Sequence, residues 1–285
     1  MNDEQFLAAI EAEVSNELRG VSPPDTQFRR IAEEYLSPVR VQEQWDLLWK
    51  SIDFEPTPQT RLMELGCGFG KFIQFAGSQN VQAVGIEPSD ERLAVARKVL
   101  EQSNLAGVMA VHGVGETMPF PDGTFDVVFS TNVLEHVQDL NAVLGETVRV
   151  LKPGGYAQHV VPNFGSWWEG HYGVLWFPRL PAWLGKLYVK LLGRDPAFID
   201  TLQLVDRGRL LAALAPYRDQ IEILDWGQAL WEHRVRSMDF SAWSTLGRLK
   251  RILALLHKIG VISLVITLGK WLRWETPIVL TFRKV

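Results

Sequence analysis

The sequence predicts an α/β protein in which helices cover both faces of a largely parallel sheet. From Thr60 onward, strand-like and helix-like segments alternate, which is the order that a parallel sheet with crossover helices requires. A short apolar strand, residues 61–65, runs directly into three alternating glycines and then into a helix. With 285 residues, 47% of them hydrophobic, the chain can bury one good core and carry an additional cap.

The segment before the sheet is predicted to be helical. The run G-V-S-P-P-D, residues 20–25, ends a first helix, and Asp25 or Thr26 is placed to cap a second one. A further helix is expected over 39–50, before the loop E-P-T-P-Q. The first helix is indicated by apolar residues at helical spacing, namely Phe6, Leu7, Ile10, Val14 and Leu18.

Five strands are expected in the alternating region. The helix from Leu140 to Leu151 is the clearest, because its apolar side chains form one stripe. It precedes the last of the five strands. The run K-P-G-G, residues 152–155, should end this helix and turn the chain into the next strand. The five strands are predicted near 61–65, 81–87, 107–112, 124–130 and 154–162.

The run M-E-L-G-C-G-F-G-K, residues 63–71, indicates a ligand site. Glycines at 66, 68 and 70 let the backbone turn sharply and lie against a ligand, and α/β sheets hold nucleotide-like cofactors at such turns. Glu87 ends the next strand, where its carboxylate can accept from both hydroxyls of a ribose. A nicotinamide cofactor fits this spacing equally well, and a plain turn with a solvated Glu87 is the simpler alternative.

Three further runs distinguish between these ligands: G-E-T-M-P-F-P-D-G-T-F-D-V-V-F-S (115–130), T-N-V-L-E-H-V (131–137) and L-K-P-G-G-Y (151–156). Together with M-E-L-G-C-G-F-G they resemble the class I S-adenosylmethionine-dependent methyltransferases, in particular the branch typified by ubiquinone and menaquinone biosynthesis methyltransferases. The resemblance covers residues 60–163. It implies a Rossmann-like methyltransferase sheet, mostly parallel, whose seven strands are completed by 220–226 and 277–283.

The resemblance implies S-adenosyl-L-methionine as the cofactor. It places Glu64 at the amino group of the methionine end and Glu87 at the ribose hydroxyls. Val114 departs from the family pattern, which usually has an Asp there for the adenine amino group, so Gly115 or Glu116 would have to make that contact. The other implied contacts are with methionine and ribose (Gly66, Gly68, Gly70), with adenine (Pro88) and with the methionine chain and sulfonium (Asn132, Val133, Leu134).

His171 is the first candidate for acid–base chemistry and His136 the second. His171 lies in W-W-E-G-H-Y-G-V-L-W-F-P, just after the fifth strand, where the carboxyl edge of the sheet opens to the ligand crevice. An imidazole there can accept a proton from a substrate hydroxyl as the methyl group arrives. Glu169 and Tyr172 are expected to orient His171 or to bind the substrate. A tryptophan-rich loop that only packs on the sheet is the alternative.

The chain is expected to have three regions. Residues 1–59 are N-terminal helices, which the family commonly places over the cofactor site, and 60–163 are the S-adenosylmethionine-binding α/β core. Residues 164–285 combine the substrate cap insertions with the last two strands of the sheet. Substrate choice should reside in the insertions, residues 163–218 and 227–276.

Charge and tryptophan are concentrated differently along the chain. Residues 1–160 carry 12 basic and 23 acidic side chains, a net charge of −11, whereas residues 161–285 carry 17 and 10, a net charge of +7. Within the basic part, residues 246–274 combine an apolar run with Lys and Arg flanks and closing tryptophans, Trp271 and Trp274. That pattern is typical of a helix lying in a membrane interface, and a cap helix buried against its own domain is the alternative.

We expect methyl transfer, most simply to an oxygen of a lipid, a quinone precursor or a lipid-linked sugar. A soluble small-metabolite acceptor and a non-catalytic binding or scaffold role are the alternatives. No Cys/His pattern has zinc spacing, so no metal is expected, and no N-P-P-Y-type motif suggests nucleic acid. The single cysteine, Cys67, and an N-terminus without an apolar segment suit a cytoplasmic protein, peripheral at the inner membrane face if 246–274 is interfacial.

Overall fold

A computed structural model describes residues 3–23, 26–238 and 247–285, without the side chains of 3, 247–250 and 252. Asp25, a proposed helix cap, and Leu246, the first residue of the basic apolar run, lie outside the described residues. The prediction that Thr26 caps the second helix is wrong. The helix begins after Gln27, which makes no side-chain cap bond, and the Thr26 hydroxyl is buried without a hydrogen-bond partner among the described residues.

Three helices precede the sheet, as the apolar periodicity predicts. They are α1 (Asp3–Leu18), α2 (Phe28–Leu36) and α3 (Pro38–Lys50). Pro38 starts α3 because its fixed φ suits a first helical position and the missing N–H is not needed there. Phe6, Ile10 and Val14 of α1 are buried, so one face of this helix packs against the rest of the chain.

The predicted alternation of strands and helices is confirmed. The K-P-G-G run, predicted to end the helix and lead into the strand, instead lies inside the strand, which begins directly after the helix at Leu151. Beside this run the pairing with the neighbouring strand is irregular between Phe125 and Val127. The elements are β1 (Arg61–Leu65), α4 (Lys71–Ser78), β2 (Gln82–Glu87), α5 (Asp90–Ser103), β3 (Val108–His112), β4 (Phe125–Thr131), α6 (Leu140–Val150) and β5 (Leu151–Val161).

The C-terminal part contains the two insertions and the last strands. Two short 3-10 turns, Pro196–Thr201 and Ala215–Tyr217, flank the helix before the sheet resumes. The elements are β6 (Trp168–Glu169), β7 (Val174–Leu175), α7 (Ala182–Leu191), α8 (Arg207–Leu214), β8 (Ile221–Asp225), α9 (Gln228–Ser237), α10 (Gly247–Lys258), α11 (Ile262–Leu272) and β9 (Ile278–Lys284).

The strands form a seven-stranded sheet in the order β3-β2-β1-β4-β5-β9-β8. The first five are parallel, and β9 runs antiparallel to both of its neighbours. The mostly parallel, seven-stranded α/β fold predicted from the sequence is therefore confirmed. The strand order reverses between β1 and β4, and ligands of open α/β sheets bind at the carboxyl ends of the strands at such a point.

Two apolar clusters cover the two faces of the sheet. Because strand side chains alternate, Met63 and Val128 point into the cluster with α6 and α8. Leu62, Val127 and Phe129 point into the cluster with α3, α4 and α5. Both faces of the central strands are thus buried, and their polar residues can serve a site only at the strand ends.

The insertions form two smaller clusters beside the sheet. One joins β7, α7 and the first 3-10 turn around Tyr172 and Trp176, and the other packs α10 and α11 on Trp231 of α9. The run predicted as one interfacial or cap segment is two helices, interrupted at Gly260, whose φ of +78° suits glycine. None of the described helices is long and apolar enough to cross a membrane.

Candidate functional site

The glycine-rich turn wraps the end of β1 around the end of β2. The amides of Gly66 and Cys67 both donate to the carbonyl of Ile86, at 2.9 and 3.0 Å. A Cβ atom on Gly66 would lie 2.4 Å from Cγ2 of Val133, and the φ of this glycine is +68°. Position 66 therefore requires glycine on two grounds, space and backbone conformation.

Glu87 is held by the turn that it faces. Its side chain is buried, and its two oxygens accept from the amides of Gly68 at 2.9 Å and Ser89 at 3.0 Å. An ionised carboxylate has about four acceptor positions. Glu87 therefore keeps acceptor capacity for two further donors while its orientation is fixed by the backbone.

Glu64 is a buried carboxylate with an unused oxygen. It lies on β1, and its Oε2 atom has no hydrogen-bond partner within the described part of the chain. Burial raises the pKa of Glu64 well above its ordinary value, and repulsion from Glu87 raises it further. A cation bound here would favour the ionised form and compensate for its burial.

A cavity of about 130 Å³ lies between the glycine-rich turn and the N-terminal helices. The helices α1, α2 and α3 thus lie across the cavity from the glycine-rich turn, and their role in covering a cofactor stays a prediction. Ligand pockets usually measure roughly 300–1,000 Å³, so the cavity in this structure is small for a nucleotide-sized ligand. The cavity is lined from the core by Glu64, Gly66, Cys67, Gly68, Phe69, Lys71, Phe72, Arg92, Thr131 and Asn132, and from the helices by Val14, Glu17, Tyr35, Arg40, Val41 and Gln44.

Arg92 connects the N-terminal helices to the core at this cavity. Its guanidinium donates to Glu13 at 3.1 Å and to Glu17 at 2.8 Å, both on α1. These carboxylates and the core helix are far apart in the sequence, so periodicity could not reveal the contact. Arg92 and Glu17 are site residues that the sequence analysis missed.

The residues after β4 divide between the cavity and the core. Asn132 lines the cavity with a φ of +53°, and Val133 packs against Gly66. Leu134 is completely buried in the apolar core. The expectation that Leu134 lies beneath the methionine chain is corrected accordingly, because its side chain is part of the packing under the loop.

The residues expected at adenine lie outside the cavity lining. Pro88 is exposed, and its carbonyl bonds to Nε2 of His112 at 3.1 Å. Glu116 accepts from the amides of Gln138 at 2.7 Å and Asp139 at 3.3 Å. Its carboxylate therefore organises the loop before α6. Gly115 packs against core side chains of Leu65 and Val143, and adenine contacts at Pro88, Gly115 and Glu116 stay predictions.

The two candidate histidines lie together in a second polar cluster. The rings of His136 and His171 are edge to face, with centroids 5.4 Å apart. Nδ1 of His171 is hydrogen-bonded to Oε1 of Glu169 at 2.6 Å, and the amide of Tyr172 donates to the other oxygen of Glu169 at 2.6 Å. Glu135 completes the cluster, with its Oε1 3.9 Å from Nε2 of His136.

The pKa values of this cluster are separated by its environment. Burial works against a charged His171, but the ion pair with Glu169 outweighs burial and raises its pKa to about 9. Burial and the neighbouring His171 lower the pKa of His136 to about 4. Burial raises the pKa of Glu135 to about 7. Environments that push neighbouring groups in opposite directions are typical of functional sites.

Tyr172 does not face the cluster, in contrast to the expectation that it binds substrate. Its side chain is completely buried, and its hydroxyl donates to the carbonyl of Asp195 at 2.6 Å. The reason is that the β6–β7 hairpin turns this ring into the apolar cluster of the cap. Glu169 remains at the cluster, where it orients His171.

Other polar residues have structural partners. His159 is buried on β5 and its Nδ1 bonds to the Ser130 hydroxyl at 2.8 Å, while burial lowers its pKa to about 4. Asp126 accepts from the amide of Arg61 and from Lys152, both at 2.8 Å. Cys67 is buried, and burial raises the pKa of its thiol, which suits a structural residue.

Known proteins match this fold and this turn. The family described as "Methyltransferase domain" matches residues 63–158. Demethylmenaquinone methyltransferase of Bacillus cereus (strain AH187) is 32% identical over 139 residues, which are 47% of this chain and 58% of the relative. A Bacillus anthracis protein of that name matches equally. The chain thus covers somewhat over half the length of these curated relatives.

Three solved structures share the fold at low identity. A Haemonchus contortus phosphoethanolamine N-methyltransferase 2 aligns with 99% of this chain and 57% of its own at a TM-score of 0.55 and 17% identity. The [4+2]-cyclase SpnF aligns with 98% of this chain and 94% of its own, at a TM-score of 0.53 and 18% identity. Geranyl diphosphate methyltransferase aligns with 93% of this chain and 83% of its own, at a TM-score of 0.50 and 17% identity.

The α/β core of this chain is therefore similar to the class I S-adenosylmethionine-dependent methyltransferase domains, because the motifs, the strand order and the family match coincide over the same residues. The resemblance to the quinone-biosynthesis branch is also confirmed, since the curated relatives are demethylmenaquinone methyltransferases.

Proposed function

We propose that this protein binds S-adenosylmethionine in the cavity beneath α1–α3 and transfers its methyl group to an acceptor held at His136 and His171. The observation that carries the proposal is the convergence of Glu64, Gly66 and Gly68 on one cavity, with Glu87 hydrogen-bonded to the amide of Gly68 at its edge. The cofactor supplies an electrophilic methyl group on a sulfonium. The residues of the chain contribute position and orientation.

The chemistry of the cavity fits a cationic, ribose-containing ligand. Glu64 has an unpartnered buried oxygen that an ammonium group would satisfy. Glu87 has acceptor capacity for two hydroxyl groups. The space beside Gly68 is empty, since a Cβ built on this glycine would meet no atom within 4 Å. The backbone at Gly68 is therefore open to a ligand.

The acceptor side follows from the loop that leaves β4. Asn132 lines the cofactor cavity, and His136, four residues later, reaches the polar cluster. Phe198 contacts both imidazole rings, at centroid distances of 6.4 Å to His136 and 5.4 Å to His171. Imidazoles beside an aromatic wall suit an acceptor with one polar oxygen on an apolar body. Because its pKa is raised to about 9, His171 would be protonated near neutral pH and would hold that oxygen as a hydrogen-bond donor, rather than accept its proton as the sequence analysis predicts. An oxygen held in this way favours O-methylation.

An exposed apolar surface in the cap suggests where such an acceptor comes from. On α7, Trp183 (69% exposed), Leu187 (49%) and Leu191 (77%) recur at a four-residue spacing while Gly185 and Val189 face inward. This is the pattern of a helix with one unpartnered apolar face. We call this face the α7 surface.

The helices of the basic run present a similar face. Ile266 and Gly269 of α11 pack toward α9, whereas Leu264 (60% exposed), Leu268 (43%) and Trp271 (78%) face outward. The two interpretations of this segment, a buried cap helix and a helix in a membrane interface, are therefore compatible, because each concerns a different side. One side is cap core, and the other is free for a membrane interface.

A row of aromatic contacts joins the two faces, with Trp167 and Phe177 exposed and Trp274 and Tyr188 half-buried. Trp274, at the end of α11, contacts Trp167 at 5.5 Å, and Trp167 contacts Phe177 at 6.2 Å. Phe177 in turn contacts Tyr188 of α7 at 6.0 Å. Exposed apolar and aromatic residues thus continue from α11 to α7, in a region with a net charge of +7 that suits anionic headgroups.

We therefore infer an acceptor that resides in or on a membrane: a lipid, a quinone precursor or a lipid-linked sugar. The inferred location is peripheral at the inner face of the membrane. The curated relatives are named demethylmenaquinone methyltransferases, which favours the quinone precursor. A soluble metabolite as the acceptor would leave the apolar surface without a role.

Incubation with radiolabelled S-adenosylmethionine and a total lipid extract tests this function. We expect label in the organic phase, and roughly 30–100-fold less with a Glu64→Gln variant at a cofactor concentration below saturation. Label only in an aqueous metabolite fraction would reject the membrane acceptor and keep the methyltransferase activity. Binding of the cofactor without transfer to any fraction would favour a non-catalytic or different role, which the fold permits because SpnF is a cyclase.

A further inference from the structure

We propose that Glu135, His136 and His171 form a binding site for a divalent transition-metal ion. One potential ligand atom from each of the three side chains lies within 4.8 Å of the other two. Nitrogen and oxygen ligands sit about 2.0–2.2 Å from a zinc-like ion, so in a tetrahedral site they are roughly 3.4 Å apart. Small side-chain rotations would close the three groups on one ion.

Glu135 supplies the observation that points to a cation. Its side chain is completely buried, and neither carboxylate oxygen has a hydrogen-bond partner in the part of the chain that the structure describes. Its Oε1 atom faces His136 at 3.9 Å. A buried carboxylate without partners is costly, and a coordinated cation would satisfy both its charge and its acceptor positions.

Glu169 prepares His171 for ligation. Its Oε1 engages Nδ1 of His171 at 2.6 Å, so Nε2 is the ring nitrogen that an ion would bind. The ion would have to displace the proton that the Glu169 pair favours on this ring, so binding should release a proton. The amide of Tyr172 fixes the other oxygen of Glu169 at 2.6 Å. A carboxylate that orients a ligating imidazole in this way is the usual outer shell of histidine metal sites.

The backbone holds the two halves of the site together. The carbonyl of Glu135 accepts from the amide of Gln203 at 2.7 Å, and the carbonyl of His171 accepts from the Ser22 hydroxyl at 3.0 Å. Loop 131–137 and the β6–β7 hairpin are therefore fixed by contacts from different parts of the chain. This arrangement favours a preorganised site over an accidental approach of three side chains.

The donor set selects the kind of ion. Two imidazoles and one carboxylate suit Zn²⁺, Fe²⁺, Co²⁺ or Ni²⁺ and leave at least one coordination position open. Mg²⁺ and Ca²⁺ prefer oxygen ligands and should bind weakly. If the proposed function holds, an ion here would bind the acceptor oxygen beside the methyl donor, and that consequence alone rests on the proposed function.

Calorimetric titration of the metal-depleted, tag-free protein with Zn²⁺ tests the site. We expect one equivalent per chain, and visible absorption bands of four- or five-coordinate Co²⁺ when that ion is used. Glu135→Gln and His171→Ala should weaken Zn²⁺ binding at least 100-fold, and Glu169→Gln about 10–100-fold. His233→Ala is the matched control, because this exposed histidine lies on α9 outside the cluster.

The outcomes are independent of methyl transfer. Circular dichroism and calorimetric binding of S-adenosylmethionine establish that each variant is folded and retains its cofactor cavity. Absence of saturable Zn²⁺ binding to the wild type would overturn the proposal, as would folded Glu135→Gln and His171→Ala variants that bind Zn²⁺ as the wild type does. Failure of the methyltransferase assay alone would leave the measured metal affinity intact.

Discussion

The cofactor cavity and the histidine cluster are built in opposite ways. At the cavity, the glycine-rich turn and Glu87 lie on adjacent strands, and backbone amides hold the carboxylate of Glu87. At the cluster, Glu135 and His171 come from different segments, and the carboxylate of Glu135 has no hydrogen bond within the described residues. The comparison teaches that local backbone geometry shapes the cofactor cavity, whereas long-range packing shapes the histidine cluster.

The largest effect is expected at the turn, from Gly66→Ala. The new Cβ would lie 2.4 Å from Val133 at a φ of +68°, so a left-handed backbone penalty of about 1–2 kcal/mol adds to about 1–3 kcal/mol of overpacking. Urea unfolding should show a loss of about 2–5 kcal/mol. Gly68→Ala is the matched control, since its Cβ meets nothing within 4 Å, and only the backbone penalty should appear. Equal losses in both variants would refute the steric argument.

The sheet beneath the site should make stability depend on pH. The pKa of His159 falls from 6.5 to about 4 on folding because the ring is buried. Below pH 6.5 the unfolded chain binds a proton that the folded chain does not, so stability falls as the pH drops toward 4, by about 3 kcal/mol in total. Denaturant unfolding at several pH values measures this slope.

His159→Gln should lower that slope between pH 6.5 and 4 by the contribution of His159. The contribution of His136, whose pKa also falls to about 4, should remain. The control is His112→Gln, whose ring is 55% exposed at the other side of the sheet. An unchanged slope in His159→Gln would assign the pH dependence to other groups.

The variant Glu64→Gln tests the cofactor cavity. Loss of the carboxylate should weaken binding of S-adenosylmethionine by about 2–3 kcal/mol, or roughly 30–100-fold, because the ammonium loses its buried counter-charge. The ligand-free variant should be as stable as the wild type or more so, since an unpaired buried carboxylate is removed. Calorimetric titration and thermal unfolding measure the two quantities. Glu222→Gln is the control, because this exposed carboxylate lies on the edge strand β8, outside the cavity. It should bind the cofactor normally, and an equal loss there would remove the special role of Glu64.

The smallest effect is expected at the α7 surface, from Trp183→Gln. Burial of one large apolar side chain contributes about 1.5–3 kcal/mol, so partitioning onto anionic liposomes should fall roughly tenfold or more. Met109→Gln is the control, because Met109 is also exposed, at 54%, but lies on the edge strand β3. Equal effects of the two changes in a co-sedimentation assay, or no liposome binding by the wild type, would contradict a membrane-facing cap.

Much of the α/β core could be predicted from the sequence because its signals are local. The run of residues 61–65 has apolar side chains on both faces and is followed at once by glycines, which predicts β1 and its turn. The same holds for the helix that begins at Leu140 and for the strands near 81–87 and 124–130. The closing strands β8 and β9 depended on the family resemblance, since long insertions separate them from the core.

The tertiary structure decided which of the marked polar residues lie together. Leu134 and Tyr172 turned into apolar cores, and Glu116 was used to organise a loop. The spacing along the chain contained no sign that Glu135 would be buried beside His171, because the loop after β4 and the β6–β7 hairpin meet only once the sheet and cap have packed. Backbone conformation and side-chain alternation are short-range and therefore readable, whereas burial and the partner of a charge are long-range and depend on the completed fold.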